Sequence, residues 1–288
     1  MTNIPYLDKV WNVTRGCTKV SAGCKNCYAE RNLQRFYPDE PDFDVKCPVV
    51  TLDAQLDKPL HWRKPRRIGV CFMSDLFHEA VPDEFLDKVF AVMALTPQHI
   101  YLVLTKRPER MRDYLVGLAS DVQNWPLPTE KGSERIRVAT IVRSVATWPL
   151  PNVWLGVSVE NQQAADERIP LLLEIPAAHR WVSVEPLLEA VDLHPGNWIA
   201  PLGGGPRVNF LHPEIAVTRP TLDWVVVGGE SGPKARPCEV VWIADIVAQC
   251  QAASVSVYVK QDSNLRPGQQ WRIPDALWAV KMLPEGWK

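Results

Sequence analysis

The 288-residue sequence has no apolar run approaching the roughly 20 residues that span a bilayer, and its opening MTNIPYLDKV lacks the apolar core of a secretory signal. These absences predict a cytoplasmic chain that makes no membrane contact. An excess of charge is missing as well. A formal net charge of -1 offers no global attraction for nucleic acid, so any such binding must come from local patches. Two basic stretches qualify: Arg63-Lys64-Pro65-Arg66-Arg67, which reads as a solvated face, and the set Lys106, Arg107, Arg110 and Arg112. An even cysteine framework is also absent. Seven cysteines in a chain of this character argue against a disulfide scaffold.

What is present is enough apolar residue for a large core: 46% of the chain is hydrophobic and no break in composition divides it, so residues 1–288 read as a single domain. Twelve tryptophans serve equally as core filling or as stacking surfaces for bases, and their number does not decide between the two. Cys71 lies in an apolar run and Cys250 in an amphipathic pattern, so both read as small core residues. Cys47 and Cys238 sit beside prolines in loop-like stretches.

Short apolar, β-branched runs recur near 9–14, 68–73, 100–105, 153–158, 180–184, 223–228 and 255–260. Their continuous apolar character suits parallel strands buried on both faces. Helical patterns fall between them near 27–36, 83–95, 108–120, 161–174 and 239–252. Alternation of this kind predicts an α/β fold, either a barrel or a doubly wound sheet. Two stretches rich in Pro, Gly, Trp and polar residues, near 121–151 and 189–222, read as insertions.

In such folds the site lies at the carboxyl ends of the strands. Those ends are strongly polar here: Ser74-Asp75, Lys106-Arg107, Ser158 with Glu160-Asn161, Glu185, Gly228-Gly229-Glu230 and Lys260-Gln261. Helix capping accounts for some of this polarity, but carboxylates at three strand ends point to a polar site. His78 lies in one of these loops and reads as a solvated or capping residue.

After the first strand, Cys17, Cys24 and Cys27 stand in the spacing C-x6-C-x2-C, punctuated by Gly16 and Gly23. Three thiolates this close can wrap one metal centre. The C-x2-C half alone also suits zinc or a redox dithiol. Zinc would need a fourth ligand from elsewhere, whereas a four-iron cluster with three protein ligands leaves one iron open.

A three-cysteine loop after the first strand of a β/α fold, running into a helix as Cys27-Tyr28-Ala29, resembles the radical S-adenosylmethionine superfamily. More closely, this spacing together with WPLPNVWLGVSVEN, WVSVEPLL and VVVGGESGP resembles a phage-associated three-cysteine-motif family, a domain of unknown function related to that superfamily. The likeness extends from about Trp11 to Gln261. Six residues separate the first two cysteines where the superfamily usually has three, and Asn26 stands where an aromatic usually precedes the third.

The resemblance implies a partial (β/α) barrel of six or seven mostly parallel strands. It also implies a [4Fe-4S] cluster on the three cysteines, S-adenosyl-L-methionine as cofactor, and a reductant such as flavodoxin or ferredoxin. On that footing Ser74 and Asp75 would meet the methionyl amino group and Lys106 or Arg107 its carboxylate. Ser158, Glu160 and Asn161 would meet the ribose, and Gly228 and Gly229 the adenine. Glu185, Glu230 and Lys260 remain as catalytic residues facing the substrate, with Gln261 beside them. The substrate implied is a nucleic-acid base or nucleoside, such as a modified thymidine in phage DNA that a radical could isomerise. Two alternatives stand beside this reading: a zinc-dependent hydrolase or nuclease, and a non-catalytic partner protein stapled by metal.

Overall fold

A computed structural model of the chain describes residues 4–36, 48–124, 148–193, 221–285 and 287. The strands are β1 (Lys9–Trp11), β2 (Thr14–Arg15), β3 (Val50–Thr51), β4 (Arg67–Val70), β5 (Ile100–Thr105), β6 (Val153–Ser158), β7 (His179–Val184), β8 (Trp224–Gly228) and β9 (Ser256–Gln261). Among the described residues the α-helices are α1 (Tyr28–Phe36), α2 (Asp83–Leu95), α3 (Pro108–Asn124), α4 (Gln162–Glu174), α5 (Val240–Ala252) and α6 (Asp275–Trp278).

Seven strands make one sheet in the order β1-β4-β5-β6-β7-β8-β9. The pairs β1–β4, β4–β5, β7–β8 and β8–β9 are parallel. The order follows the sequence without reversal, so the sheet has no switch point of the doubly wound kind. The fold is therefore α/β with the mostly parallel seven-stranded sheet expected of the β/α class. Strands β2 and β3 form a separate antiparallel ribbon that the sequence pattern did not predict, because two residues give no period.

Contacts gather the chain into two compact units interleaved along the sequence. The first comprises Met1–Val20, Cys27–Leu155 and Ile175–His179. Its buried core includes Trp11, Ile68, Val70, Tyr101 and Leu102 of the strands and Leu86, Val89, Phe90 and Met93 of α2. Asp83 and Glu84 place negative charge in the first turn of α2, where the helix dipole favours it. The second unit comprises Ser21–Asn26, Gly156–Glu174 and Arg180–Lys288. There Trp181, Trp224 and Val225–Val227 are buried, with Ile243, Ile246 and Cys250 of α5 completing the core.

Two expected strands end early, for a physical reason in each case. The run 68–73 stops at Val70 because Cys71 adopts a left-handed backbone with φ 53°, and the chain then turns so that the Ser74 N–H donates to the Cys71 carbonyl. The run 9–14 stops at Trp11, and Thr14 pairs instead with Thr51 in the small ribbon. Cys71 and Cys250 are buried core residues, as expected, and so is Cys238. Burial raises the Cys71 thiol and pushes the Cys250 thiol up to about 12. The fully buried Trp11, Trp181 and Trp224 are core residues, so they do not serve as base-stacking surfaces. Cys47 and most of the two expected insertions lie outside the described residues. Among the described residues no helix is long and apolar enough to cross a membrane.

Candidate metal centre

In the first unit a polar network gathers behind the ends of β1, β4 and β5. Asp75, in the loop after β4, accepts hydrogen bonds from the Thr105 hydroxyl at 2.7 Å, the Phe77 N–H at 3.0 Å, the Lys106 N–H at 3.1 Å and Arg107 Nη1 at 3.2 Å. Both side chains of the Asp75–Arg107 pair are buried, at 7% and 5% exposure. The same guanidinium donates from Nε to both oxygens of Glu79, from Nη2 to the Thr18 hydroxyl at 2.8 Å and carbonyl at 3.0 Å, and from Nη1 to Cys17 Sγ at 3.7 Å. Burial works against the Arg107 charge, but Asp75, Cys17 and Glu79 outweigh it and hold the group firmly protonated.

His78 completes this network. Its Nδ1 accepts the Ala80 N–H at 3.1 Å, which leaves the proton on Nε2 to be donated to the Thr18 hydroxyl at 2.9 Å. Burial first, and then the Arg107 charge, depress its pKa, so the ring is neutral at pH 7. Ser74, expected near the cofactor, pairs with the Thr14 hydroxyl at 2.6 Å and also donates to the Thr14 carbonyl. Asp75 is committed to Arg107, Thr105 and the local backbone. The second basic stretch is largely neutralised too: Arg107 by Asp75 and Glu79, Arg110 by Asp83, and Arg112 by Asp113.

In the second unit the segment Ser21–Asn26, which carries Cys24 in a short turn at Ala22–Cys24, is held by strand-end carboxylates. Glu160, after β6, accepts the Gly23 N–H at 3.3 Å and forms a buried ion pair with Arg168 at 3.0 Å. Glu230, after β8, accepts from the Asn26 amide at 2.9 Å and from Arg236 at 2.6 Å, and Arg236 reaches on to the Ala22 carbonyl at 2.8 Å. These two carboxylates therefore fasten the Ser21–Asn26 segment. Asn161 caps α4, its side-chain oxygen accepting the Ala164 N–H at 2.9 Å. Ser158 donates to the Glu185 carbonyl at 3.0 Å.

Burial alone would raise the Glu230 carboxyl, but Arg236 and Asn26 hold it below the ordinary carboxylate value. A carboxyl depressed on folding contributes stability that is complete above its unfolded pKa, about 4.3 for Glu, and is lost as pH falls through the lower folded value. Melting curves recorded on acidification should therefore fall less steeply below that pH in Glu230→Gln than in the wild type. Parallel curves would contradict the assignment.

Glu185 and Lys260 form an ion pair at 2.8 Å at the ends of β7 and β9. Ser183 donates to the same carboxylate oxygen at 3.4 Å, while Glu185 Oε1 is buried with no hydrogen-bond partner among the described residues. Gly228 makes room for that oxygen, since a Cβ there would stand 2.7 Å from Oε1. A Cβ at Gly229 would stand 2.4 Å from the Ser263 backbone nitrogen. The two glycines are thus required by the chain's own packing. Because backbone cannot swing aside as a side chain can, Gly229→Ala should cost about 1–3 kcal/mol, read as a lower midpoint in denaturant; an unchanged midpoint would show that the loop yields. Gln261 donates to the Gly229 carbonyl and accepts the Gly268 N–H, both at 2.8 Å.

Cys17, Cys24 and Cys27 are half-buried and in no disulfide. Cys17 and Cys27 pack, with Met73, against the same Ala29–Leu33 face of α1. Among the described residues no three His, Cys, Asp or Glu side chains already stand as a metal-holding group. By donor chemistry the loop still fits an iron-sulfur cluster: three thiols, none in a disulfide, with a guanidinium at one of them.

Residues 1–276 match the family described as Protein of unknown function (DUF5131). The chain belongs to that family. No curated protein and no solved structure matches it. Within this DUF5131 chain the residues that sequence reasoning missed are the partners: Thr18 and Glu79 around Arg107, Arg168 against Glu160, and Asn26 and Arg236 against Glu230. The one signal available was an arginine a few residues beyond a strand-end carboxylate.

Proposed function

We propose that this chain is an iron-sulfur enzyme of the radical S-adenosylmethionine type, with Cys17, Cys24 and Cys27 holding a [4Fe-4S] cluster that keeps one iron open. One observation carries the reading: three half-buried cysteines close together in sequence, none in a disulfide, with the Arg107 guanidinium against Cys17, a cation suited to the negative charge that a ligating sulfur carries. When bound, such a cluster supplies the electron that cleaves the C–S bond of S-adenosylmethionine to give a 5′-deoxyadenosyl radical.

The chain's own residues bind and orient. Arg107, fixed by Asp75 and Glu79, holds Thr18 and Cys17, while Glu160 and Glu230 hold the segment with Cys24. Lys106 remains assigned to the methionyl carboxylate, and the Glu185–Lys260 pair to the substrate. Glu230 we now assign to the loop. The substrate class, a nucleic-acid base or nucleoside, follows from the resemblance; the paired arginines near Lys106 add nothing to it. The zinc reading is less favoured, because Asp75, Glu160 and Glu230 are each bound to an arginine.

The test is anaerobic reconstitution with iron and sulfide, followed by dithionite and S-adenosylmethionine. A brown protein that releases 5′-deoxyadenosine supports the proposal. A colourless protein that takes up zinc and leaves S-adenosylmethionine intact would overturn it.

A further inference from the structure

We infer that Arg107 sets the reduction potential of the cluster proposed above, acting on Cys17 as a hydrogen-bond donor and a fixed positive charge; the inference rests on that proposal. A donor and a cation beside a ligating sulfur stabilise the reduced cluster, which carries the extra electron, and so raise its potential. Arg107 is suited to this because it cannot turn away. Its Nε is held by Glu79, its Nη2 by both oxygens of Thr18, and its Nη1 is shared between Asp75 and Cys17 Sγ. A lysine would keep the charge but lose this planar fork.

The network around the guanidinium is arranged to hold it in place. Asp75 is itself fixed by Thr105 and by two backbone N–H groups. Thr18, adjacent in sequence to the ligand, receives hydrogen bonds from both Arg107 and the neutral His78. Glu79 opposes the positive charge, but its side chain is 67% exposed against 5% for Arg107, so water screens it more strongly. The Thr18 carbonyl lies 3.5 Å from the sulfur, but it accepts from Arg107 Nη2 as well, so the full charge in contact with the sulfur is the guanidinium, through Nη1 at 3.7 Å.

The experiment is a redox titration of the anaerobically reconstituted full chain, followed by electron paramagnetic resonance. Arg107→Gln should lower the reduced-to-oxidised ratio at a given poise about tenfold, equivalent to about 59 mV downward for one electron. Arg107→Lys should fall between that variant and the wild type. Glu79→Gln, at an exposed position, should move the potential upward, and it keeps the test decisive if Arg107→Gln does not fold. Arg112→Gln, whose partner is the neighbouring Asp113, should leave it unchanged. Clusters of equal potential in Glu79→Gln, the folded Arg107 variants and the wild type would overturn the inference while leaving the cluster intact. A wild-type chain that takes up no cluster would overturn the proposed function and this inference with it.

Discussion

Replacing Cys17, Cys24 or Cys27 by alanine, one at a time, is expected to abolish iron-sulfur incorporation and with it all 5′-deoxyadenosine formation, whereas Cys71→Ala retains both. Each of the three cysteines is in no disulfide and partly accessible, and a cluster with three protein ligands loses one third of them when any is removed. Cys71 differs in kind. It is fully buried, receives a hydrogen bond from the Thr14 hydroxyl at 3.3 Å, and has its thiol raised by burial. A thiol in that state is a packing group, so its loss should cost about 1 kcal/mol of stability. Iron per chain and product by chromatography read the first half of the prediction, and a denaturant curve reads the second. Full iron content in any one of the three loop variants would remove that cysteine from the ligand set.

Asp75→Ala is expected to destabilise the fold by about 3–5 kcal/mol, because it strands a buried guanidinium. Arg107 keeps only Glu79 as a carboxylate partner, and that group is largely in water. Three further donors lose their acceptor together: the Thr105 hydroxyl and the N–H groups of Phe77 and Lys106. The consequence reaches the thiol as well, since an Arg107 released from Asp75 no longer holds Thr18 and Cys17 in register. Iron uptake should therefore fall in Asp75→Ala even at temperatures where the variant is folded. Asp75→Asn should be less damaging, because the amide oxygen still accepts two of the lost bonds. Wild-type stability in Asp75→Ala would show that the pair is worth no more than an exposed one.

The strands were legible because burial on both faces leaves a continuous apolar run. Ile100–Thr105 and Val153–Ser158 have the predicted bounds, and Trp224–Gly228 begins one residue late. The helices were legible from the apolar period, with α2 spanning the predicted 83–95. What escaped was decided by backbone geometry that residue type does not fix. Nothing in IGVCFM announces the left-handed Cys71 that ends its strand. In the candidate site the sequence showed which residues were polar but not which were partners. Glu160 and Glu230 looked like groups for a ligand, yet Gly23 and Asn26 lie more than a hundred residues earlier in the chain, a separation across which no periodicity connects them. Asn161 followed the simpler reading, since a helix start leaves an N–H that needs an acceptor. The glycine pair read as space for a ligand, but Glu185 and Ser263 fill that space.

The most direct test of the central claim is an electron paramagnetic resonance spectrum of the reconstituted, dithionite-reduced chain before and after adding S-adenosylmethionine. A cluster on Cys17, Cys24 and Cys27 with one iron open predicts a reduced four-iron signal that changes when S-adenosylmethionine is added and is missing from each of the three alanine variants. A signal that persists unchanged on addition, or survives in those variants, would contradict it.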